Sequence, residues 1–156
     1  MKYLLLVTLL LATVVLTTTG QVAPAGQATP ATSTPLYVPN DQVATAIAKP
    51  TGGAIFSKDP AIRFGVNRRG AGEPEEHEKT SHNWVIIDGE ATIIVGGTMV
   101  GRHSTGNGEF RGTDVEGGQT YQLKKGDMIR IPAGTQHWFK EVPTKTIAFY
   151  VADTLR

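Results

Sequence analysis

The chain has 156 residues, no cysteine and a formal net charge of +1 at pH 7. Once a leader segment is set aside, this length suits one compact domain, and a chain without cysteine cannot form a disulfide. Because the charge is nearly neutral and the lysines and arginines are scattered, nucleic acid is not expected as a partner.

The first twenty residues have the pattern of a secretory signal. A positively charged start precedes an apolar run over residues 3–16, and small residues follow up to Gly20. A run of this length is short for a membrane-spanning helix and typical of a signal peptide. We predict a signal over residues 1–20, with an uncleaved anchor as the alternative. A bacterial periplasmic or secreted protein without membrane contact after cleavage is therefore expected, which also fits the lack of cysteine.

The next segment, residues 21–35, is rich in proline, alanine and threonine. Such a composition buries too little apolar surface to offset the loss of chain entropy, so we predict a flexible spacer. The remaining residues, 36–156, are enough for a hydrophobic core and are assigned to one barrel domain. Only one short helix is predicted in it, over residues 41–49.

Short runs of valine, isoleucine, threonine and aromatic residues, separated by glycine, proline and aspartate, predict an all-β core. The predicted strands cover residues 54–56, 61–66, 83–88, 91–95, 120–123, 127–131, 137–140 and 146–151. The Asp88-Gly89 pair is predicted to join two strands as a tight hairpin, since Asp-Gly readily adopts a type I′ turn. Many short strands with tight turns are typical of an antiparallel sandwich or a closed barrel.

The segment before the last histidine has a specific spacing of turn residues. Gly126 is followed after five residues by Pro132, then by Gly134 and His137. Pro132 ends a strand and Gly134 permits a turn, so His137 begins the next strand at a fixed position. This spacing resembles, in full, the core of the second motif of the cupin family.

An earlier segment resembles the first cupin motif in spacing but not in ligand identity. That motif usually reads Gly, five residues, His-x-His, three or four residues, Glu, six residues, Gly. Its last glycine corresponds to Gly89, which places His82 where the family has glutamate. His77 then falls on the second histidine position and Glu75 on the first. The resemblance covers about residues 61–151.

The resemblance implies an antiparallel double-stranded β-helix, the jelly-roll barrel of cupins, with one divalent transition metal ion such as iron, manganese or zinc. Two ligand sets stay open: Glu75, His77, His82 and His137 together, or the three histidines alone. Side-chain alternation independently places His82 on the same strand face as Trp84. Three imidazoles in a barrel mouth suit a first-row divalent ion and leave positions open for water or substrate.

Each predicted ligand has an ordinary alternative. His137 also fits a core or turn histidine, and His82 a solvent-facing residue at a strand start. His77 and Glu75 lie in a charged stretch that also fits a solvated loop.

Fold alone does not settle the function. We predict a metal-dependent enzyme, dioxygenase-like or isomerase-like, acting on a small polar or aromatic molecule. The alternative is a non-catalytic cupin that binds a small ligand such as a sugar. Glu76, Glu78 and Glu141 are the carboxylates closest to the site by motif position, and a homodimer is expected by resemblance.

The segment over residues 96–119 is longer than a minimal cupin needs between its motifs. A loop of this length in a compact domain is usually functional or disordered. We predict a flap hairpin beside the barrel mouth, with a surface excursion against a second subunit as the alternative. Arg63, Arg102 and Arg111 are candidate anion contacts, with an ordinary surface charge as the alternative for each.

Overall fold

The computed structural model describes residues 35–156. The predicted signal over residues 1–20 and all but the last residue of the predicted spacer lie outside this range. In the described part of the chain, no helix is long and apolar enough to cross a membrane.

One short helix precedes thirteen strands in residues 35–156. The elements are α1 (Asn40–Ile47), β1 (Gly52–Ile55), β2 (Ile62–Arg69), β3 (Glu75–His77), β4 (Thr80–Asp88), β5 (Ala91–Val95), β6 (Thr98–Val100), β7 (His103–Gly106), β8 (Glu109–Arg111), β9 (Asp114–Glu116), β10 (Gln119–Leu123), β11 (Met128–Ile131), β12 (His137–Glu141) and β13 (Ile147–Leu155). The predicted helix and all eight predicted strands are confirmed, with ends that shift by a few residues.

Two antiparallel sheets form the body of the domain. The five-stranded sheet has the order β1-β2-β13-β4-β11, and the six-stranded sheet has the order β10-β5-β12-β3-β8-β7. Strands β6 and β9 pair separately. This arrangement confirms the predicted all-β class and the antiparallel double-stranded β-helix.

The core forms where the inward faces of the two sheets meet. Along β13 every second side chain is buried, including Ile147, Phe149 and Val151. The Phe149 ring lies 4.6 Å from that of Trp84 in β4 and 6.0 Å from that of Phe139 in β12, measured between centroids. Full burial of one such side chain stabilises the fold by about 1.5–3 kcal/mol. This aromatic cluster therefore holds the two sheets together directly below the histidines described in the next section.

The prediction that Asp88 and Gly89 join two paired strands as a hairpin is wrong. Strands β4 and β5 lie in different sheets, so the turn carries the chain across the barrel and does not join paired strands. Gly89 has the left-handed φ of 81°, but Asp88 does not have the positive φ that a type I′ turn requires. The dipeptide determined a tight turn, whereas the pairing of β4 with β11 and β13 depends on distant residues.

The segment over residues 96–119 is ordered into four short strands, β6 to β9, whose bounds the sequence did not predict. β6 pairs with β9, and β7 with β8 forms a hairpin whose second strand extends the sheet beside β3. The predicted hairpin is thus confirmed, while its role in substrate access stays a prediction. Glycine-rich segments lack apolar alternation, so their strand conformation here depends on pairing with β3 and with one another.

Gly96 and Gly97 provide a matched test of the turn that starts this segment. Both have a left-handed φ, 77° for Gly96 and 80° for Gly97, but only Gly97 is crowded. A Cβ on Gly97 would lie 2.6 Å from the carbonyl oxygen of Glu116, whereas a Cβ on Gly96 would meet nothing within 4 Å. Gly96→Ala should cost about 1–2 kcal/mol for the left-handed backbone. Gly97→Ala should cost about 1–3 kcal/mol more through overpacking. Urea unfolding measures both, and equal losses would contradict the crowding at Gly97.

Candidate metal centre

Three histidines from three strands converge at one end of the barrel. His77 ends β3, His82 lies in β4 and His137 begins β12, and one ring nitrogen of each lies within 4.8 Å of the others. The Gly134 N–H donates to the carbonyl oxygen of His77 across 2.9 Å, which ties the turn before β12 to β3. The structure thus brings together three of the four predicted ligands in a group that can hold a metal ion.

The ring of His82 is oriented by Asp153, a residue of β13 that the sequence analysis missed. Asp153 Oδ2 lies 2.9 Å from His82 Nδ1, while its Oδ1 accepts hydrogen bonds from Trp84 Nε1 at 3.1 Å and from the Asn83 N–H at 3.2 Å. With Nδ1–H donated to the carboxylate, the His82 Nε2 lone pair remains for a metal. The sequence could have indicated this role, because an aspartate at an inward-facing position of an apolar strand needs hydrogen-bond partners in the protein interior.

The other two histidines are oriented in the same way. His137 Nδ1 lies 3.1 Å from the carbonyl oxygen of Thr135, and His77 Nδ1 contacts a carboxylate oxygen of Glu109 in β8. Each ring therefore has an acceptor at Nδ1, and each presents Nε2 to the common centre. Outer hydrogen bonds of this kind are what fix the tautomer and ring orientation of metal-binding histidines.

The Nε2 atoms of His82 and His137 fit a metal ion because they are otherwise unsatisfied. Both are buried, and neither has a hydrogen-bond partner within residues 35–156. A buried polar atom without a partner costs about 1–3 kcal/mol. Coordination removes this cost, and an imidazole set of this kind suits divalent zinc or iron.

Glu75 lies beside the three histidines as an ionised carboxylate. Its oxygens are 3.6 Å from His137 Nε2 and 4.0 Å from His77 Nε2, and they also pair with Arg69 and, at 3.3 Å, with Arg111. Burial alone would raise the pKa of Glu75, but attraction to Arg69 and the neighbouring histidines lowers it overall. Because the arginines already occupy both oxygens, the geometry favours the three-histidine set, and ligation by Glu75 stays a prediction.

Burial favours the neutral form of His77 and His137. It lowers the pKa of His137 to about 3, and it lowers the pKa of His77 against the opposing attraction of Glu75. A neutral imidazole is the form that binds a metal. His77 and His137 are therefore in the protonation state that binds a metal at neutral pH.

The carboxylates predicted by motif position lie elsewhere. Glu76 alternates to the opposite face of β3 from His77, where Arg102 binds both of its oxygens at 2.8 and 3.0 Å and stacks 3.5 Å from the Phe110 ring centroid. Glu78 and Glu141 are exposed. Among residues 35–156, none of these three lines the cavity beside the histidines.

A cavity of about 370 Å³ opens beside the histidines. Its wall combines aromatic and aliphatic side chains with a few polar ones. The lining includes Val66, Trp84, Phe149 and Val151, together with Arg63, Asn67, Arg69 and Asp153. This mixture is typical of a small-molecule site, in which apolar walls surround a small number of polar groups.

No family model and no curated protein matches the chain. Among solved structures, TT1209 from Thermus thermophilus matches with 14% identity and a TM-score of 0.51, over 77% of this chain and 97% of that one. The Cnp3 cupin domain of Schizosaccharomyces pombe matches with 17% identity and a TM-score of 0.45, over 65% of this chain and 58% of that one. A Klebsiella pneumoniae protein with a double-stranded β-helix domain matches with 16% identity and a TM-score of 0.45, over 79% of this chain and 91% of that one.

The two antiparallel sheets form the double-stranded β-helix, the jelly-roll barrel of cupins, that the motif spacing predicted. The chain has the cupin fold. At such low identity the likeness concerns the fold alone, so the chemistry of this cupin is argued from its own residues.

Asp153→Asn tests the orientation of His82. An asparagine amide can donate to Nδ1 and so favour the tautomer that carries its proton on Nε2, which should weaken zinc affinity by about 10–100-fold. Competition with a fluorescent chelator measures this affinity, and circular dichroism checks the fold. The control is Asp114→Asn in β9, an exposed residue that should leave affinity unchanged. An equal effect of both variants would contradict a specific role for Asp153.

The buried histidine predicts a pH dependence of the metal-free protein. The pKa of His137 is about 3 in the folded state against 6.5 in the unfolded chain, so the unfolded state binds more protons as the pH falls below about 6.5. Between pH 7 and pH 5, stability should therefore fall by about 2 kcal/mol from this group. Urea unfolding at both pH values measures the loss. His137→Gln should reduce the difference, and an unchanged difference would contradict the assignment.

Proposed function

We propose that this cupin is a metal-dependent enzyme that acts on a small polar or aromatic molecule in the barrel cavity. The observation that carries the proposal is the convergence of one ring nitrogen from each of three histidines. The Nε2 atoms of two of them, His82 and His137, are buried without a partner in residues 35–156. His77, His82 and His137 would hold divalent iron, manganese or zinc. Such an ion, when bound, supplies Lewis-acid or oxygen chemistry.

The proposal for an enzyme rests on open coordination positions beside a shaped cavity. Three protein ligands leave one or more positions for water or substrate, which is typical of catalytic and not of structural metal sites. Trp84 and Phe149 are buried side chains that give the cavity an apolar wall. Glu75, fixed between Arg69 and Arg111, keeps a negative charge beside the histidines.

One observation favours the second candidate, a non-catalytic protein that binds a small ligand. The acidic residues that line the cavity, Glu75 and Asp153, are already engaged, the first by two arginines and the second by three hydrogen-bond donors. Within the described range, the cavity therefore offers no unpaired carboxylate as a general acid or base. A binding protein needs none.

We also propose that the protein works outside the cytoplasm of a bacterium as a homodimer. Export is supported by the apolar run over residues 3–16. Association is supported by exposed apolar side chains on the outer face of the five-stranded sheet, where Phe64 is 48% and Tyr150 45% exposed. Patches of this kind are typical of protein contacts.

Metal content is the first test. Protein purified without chelator should contain about one divalent transition metal ion per chain, and His77→Ala, His82→Ala and His137→Ala should each lose it. The control is His103→Ala, which removes the fourth histidine, an exposed residue of β7. Plasma mass spectrometry gives the result. A wild-type protein that takes up no metal even after reconstitution would overturn the metal-dependent function.

An enzyme converts its substrate into product, whereas a binding protein does not, so a search for products distinguishes the two candidates. We would incubate the iron-, manganese- and zinc-loaded forms with a defined mixture of small hydroxy, oxo and aromatic acids and sugars, and follow it by proton NMR. New product signals that depend on His82 support the enzyme. Line broadening without new signals would instead establish the non-catalytic candidate.

A further inference from the structure

The inward face of β2 forms a polar wall of the cavity. In the antiparallel pairing with β13, Arg63 lies opposite Asp153 and Asn67 opposite Phe149. Side chains of directly opposed residues project from the same face of a sheet. Because Asp153 and Phe149 are buried inward, Arg63 and Asn67 also lie on the cavity side of the sheet, and both line the cavity. Asn67 is half-buried, whereas Arg63 is exposed at the edge of the cavity.

Arg63 and Asn67 differ from the other polar groups of the cavity because neither is engaged. Arg69 is committed to Glu75, and Asp153 to His82. The side chains of Arg63 and Asn67 make no hydrogen bond or ion pair with any residue in 35–156. An amide and a guanidinium together offer several N–H donors, and the Asn67 Oδ1 is the one acceptor between the two side chains, so this wall presents mainly donors.

The position of this wall relative to the histidines limits the size of a ligand. Strands β2, β13 and β4 are neighbours, so two strand spacings, about 10 Å, separate the backbones of Arg63 and His82. Asp153 lies between them, opposite Arg63 and hydrogen-bonded to His82. A small molecule held by Arg63 therefore faces the metal-binding atoms.

We propose that Arg63 and Asn67 bind the carboxylate of a small organic acid whose second oxygen group faces the three histidines. A guanidinium binds a carboxylate through two parallel N–H···O hydrogen bonds, and the Asn67 amide adds a third donor. Trp84 and Phe149 cover the hydrocarbon part of the acid. This inference rests on the proposed function, because it assigns the ligand class of the same cavity.

The charges of the cavity favour a carboxylate over a phosphate. Glu75 and Asp153 already place two negative charges in the lining, against the positive charges of Arg63 and Arg69. A phosphate dianion adds more repulsion to this site than a monocarboxylate does. The apolar part of the lining also requires a ligand with a hydrocarbon part, which inorganic phosphate lacks.

Calorimetry on the zinc-loaded protein tests the proposal with three probes: mandelate, its uncharged counterpart 1-phenylethane-1,2-diol, and inorganic phosphate. Mandelate should bind more tightly than the other two. Arg63→Gln should weaken mandelate binding by about tenfold or more and leave diol binding unchanged. Asn67→Ala should weaken mandelate binding less. The matched control is Arg130→Gln, an exposed arginine on the outer side of β11, which should have no effect.

Separate zinc titrations distinguish failure of this inference from failure of the proposed function. If the Arg63→Gln variant binds zinc normally but keeps its mandelate affinity, the carboxylate site is wrong and the metal centre stands. Absence of measurable mandelate binding, or tighter binding of phosphate, would also overturn the carboxylate assignment. If the wild type does not retain zinc, the proposed metal-dependent function fails. The carboxylate site is still supported in that case if the metal-free wild type binds mandelate and the Arg63→Gln variant does not.

Discussion

The hydrogen bond between Asp153 and His82 links the fold of this protein to its candidate metal centre. Asp153 lies in β13, between β2 and β4 in the five-stranded sheet. The same carboxylate accepts the indole N–H of Trp84, whose ring packs against Phe149 in the core. A shift of β13 by one residue would turn Asp153 outward and remove both contacts. Core packing and site geometry therefore depend on the same strand register.

The segment between the two motifs completes the site. Glu109 in β8 contacts His77, and Arg111 in the same strand pairs with Glu75. On the other face of β3, Arg102 binds Glu76 and stacks on a ring of the hairpin. Contacts on both faces of this short strand hold it in place. The insertion is therefore structural support for the candidate ligands as well as part of the barrel.

Much of this organisation was predictable, because the relevant signals are local. Short runs of β-branched and aromatic residues between turn residues located eight strands. The spacing from Gly126 to His137 resembles the second cupin motif, and this resemblance implied the barrel and one histidine of the group. A hairpin was predicted in the insertion, but the bounds of its strands were not, because glycine-rich segments carry no alternation. The Asp88-Gly89 turn was assigned to a hairpin because a dipeptide determines local backbone angles and carries no information about which strands pair.

By itself, the sequence determined the fold class, the strand that begins at His137 and the face on which His82 lies, since each follows from periodicity and turn chemistry over a few residues. Only the tertiary structure showed that Arg69 and Arg111 pair with the carboxylate oxygens of Glu75. It also showed that Asp153 and Glu109 orient the rings of His82 and His77. Those partners are 71 and 32 residues away from the histidines they contact. Contacts at such separations depend on strand pairing across the barrel, which no local pattern specifies.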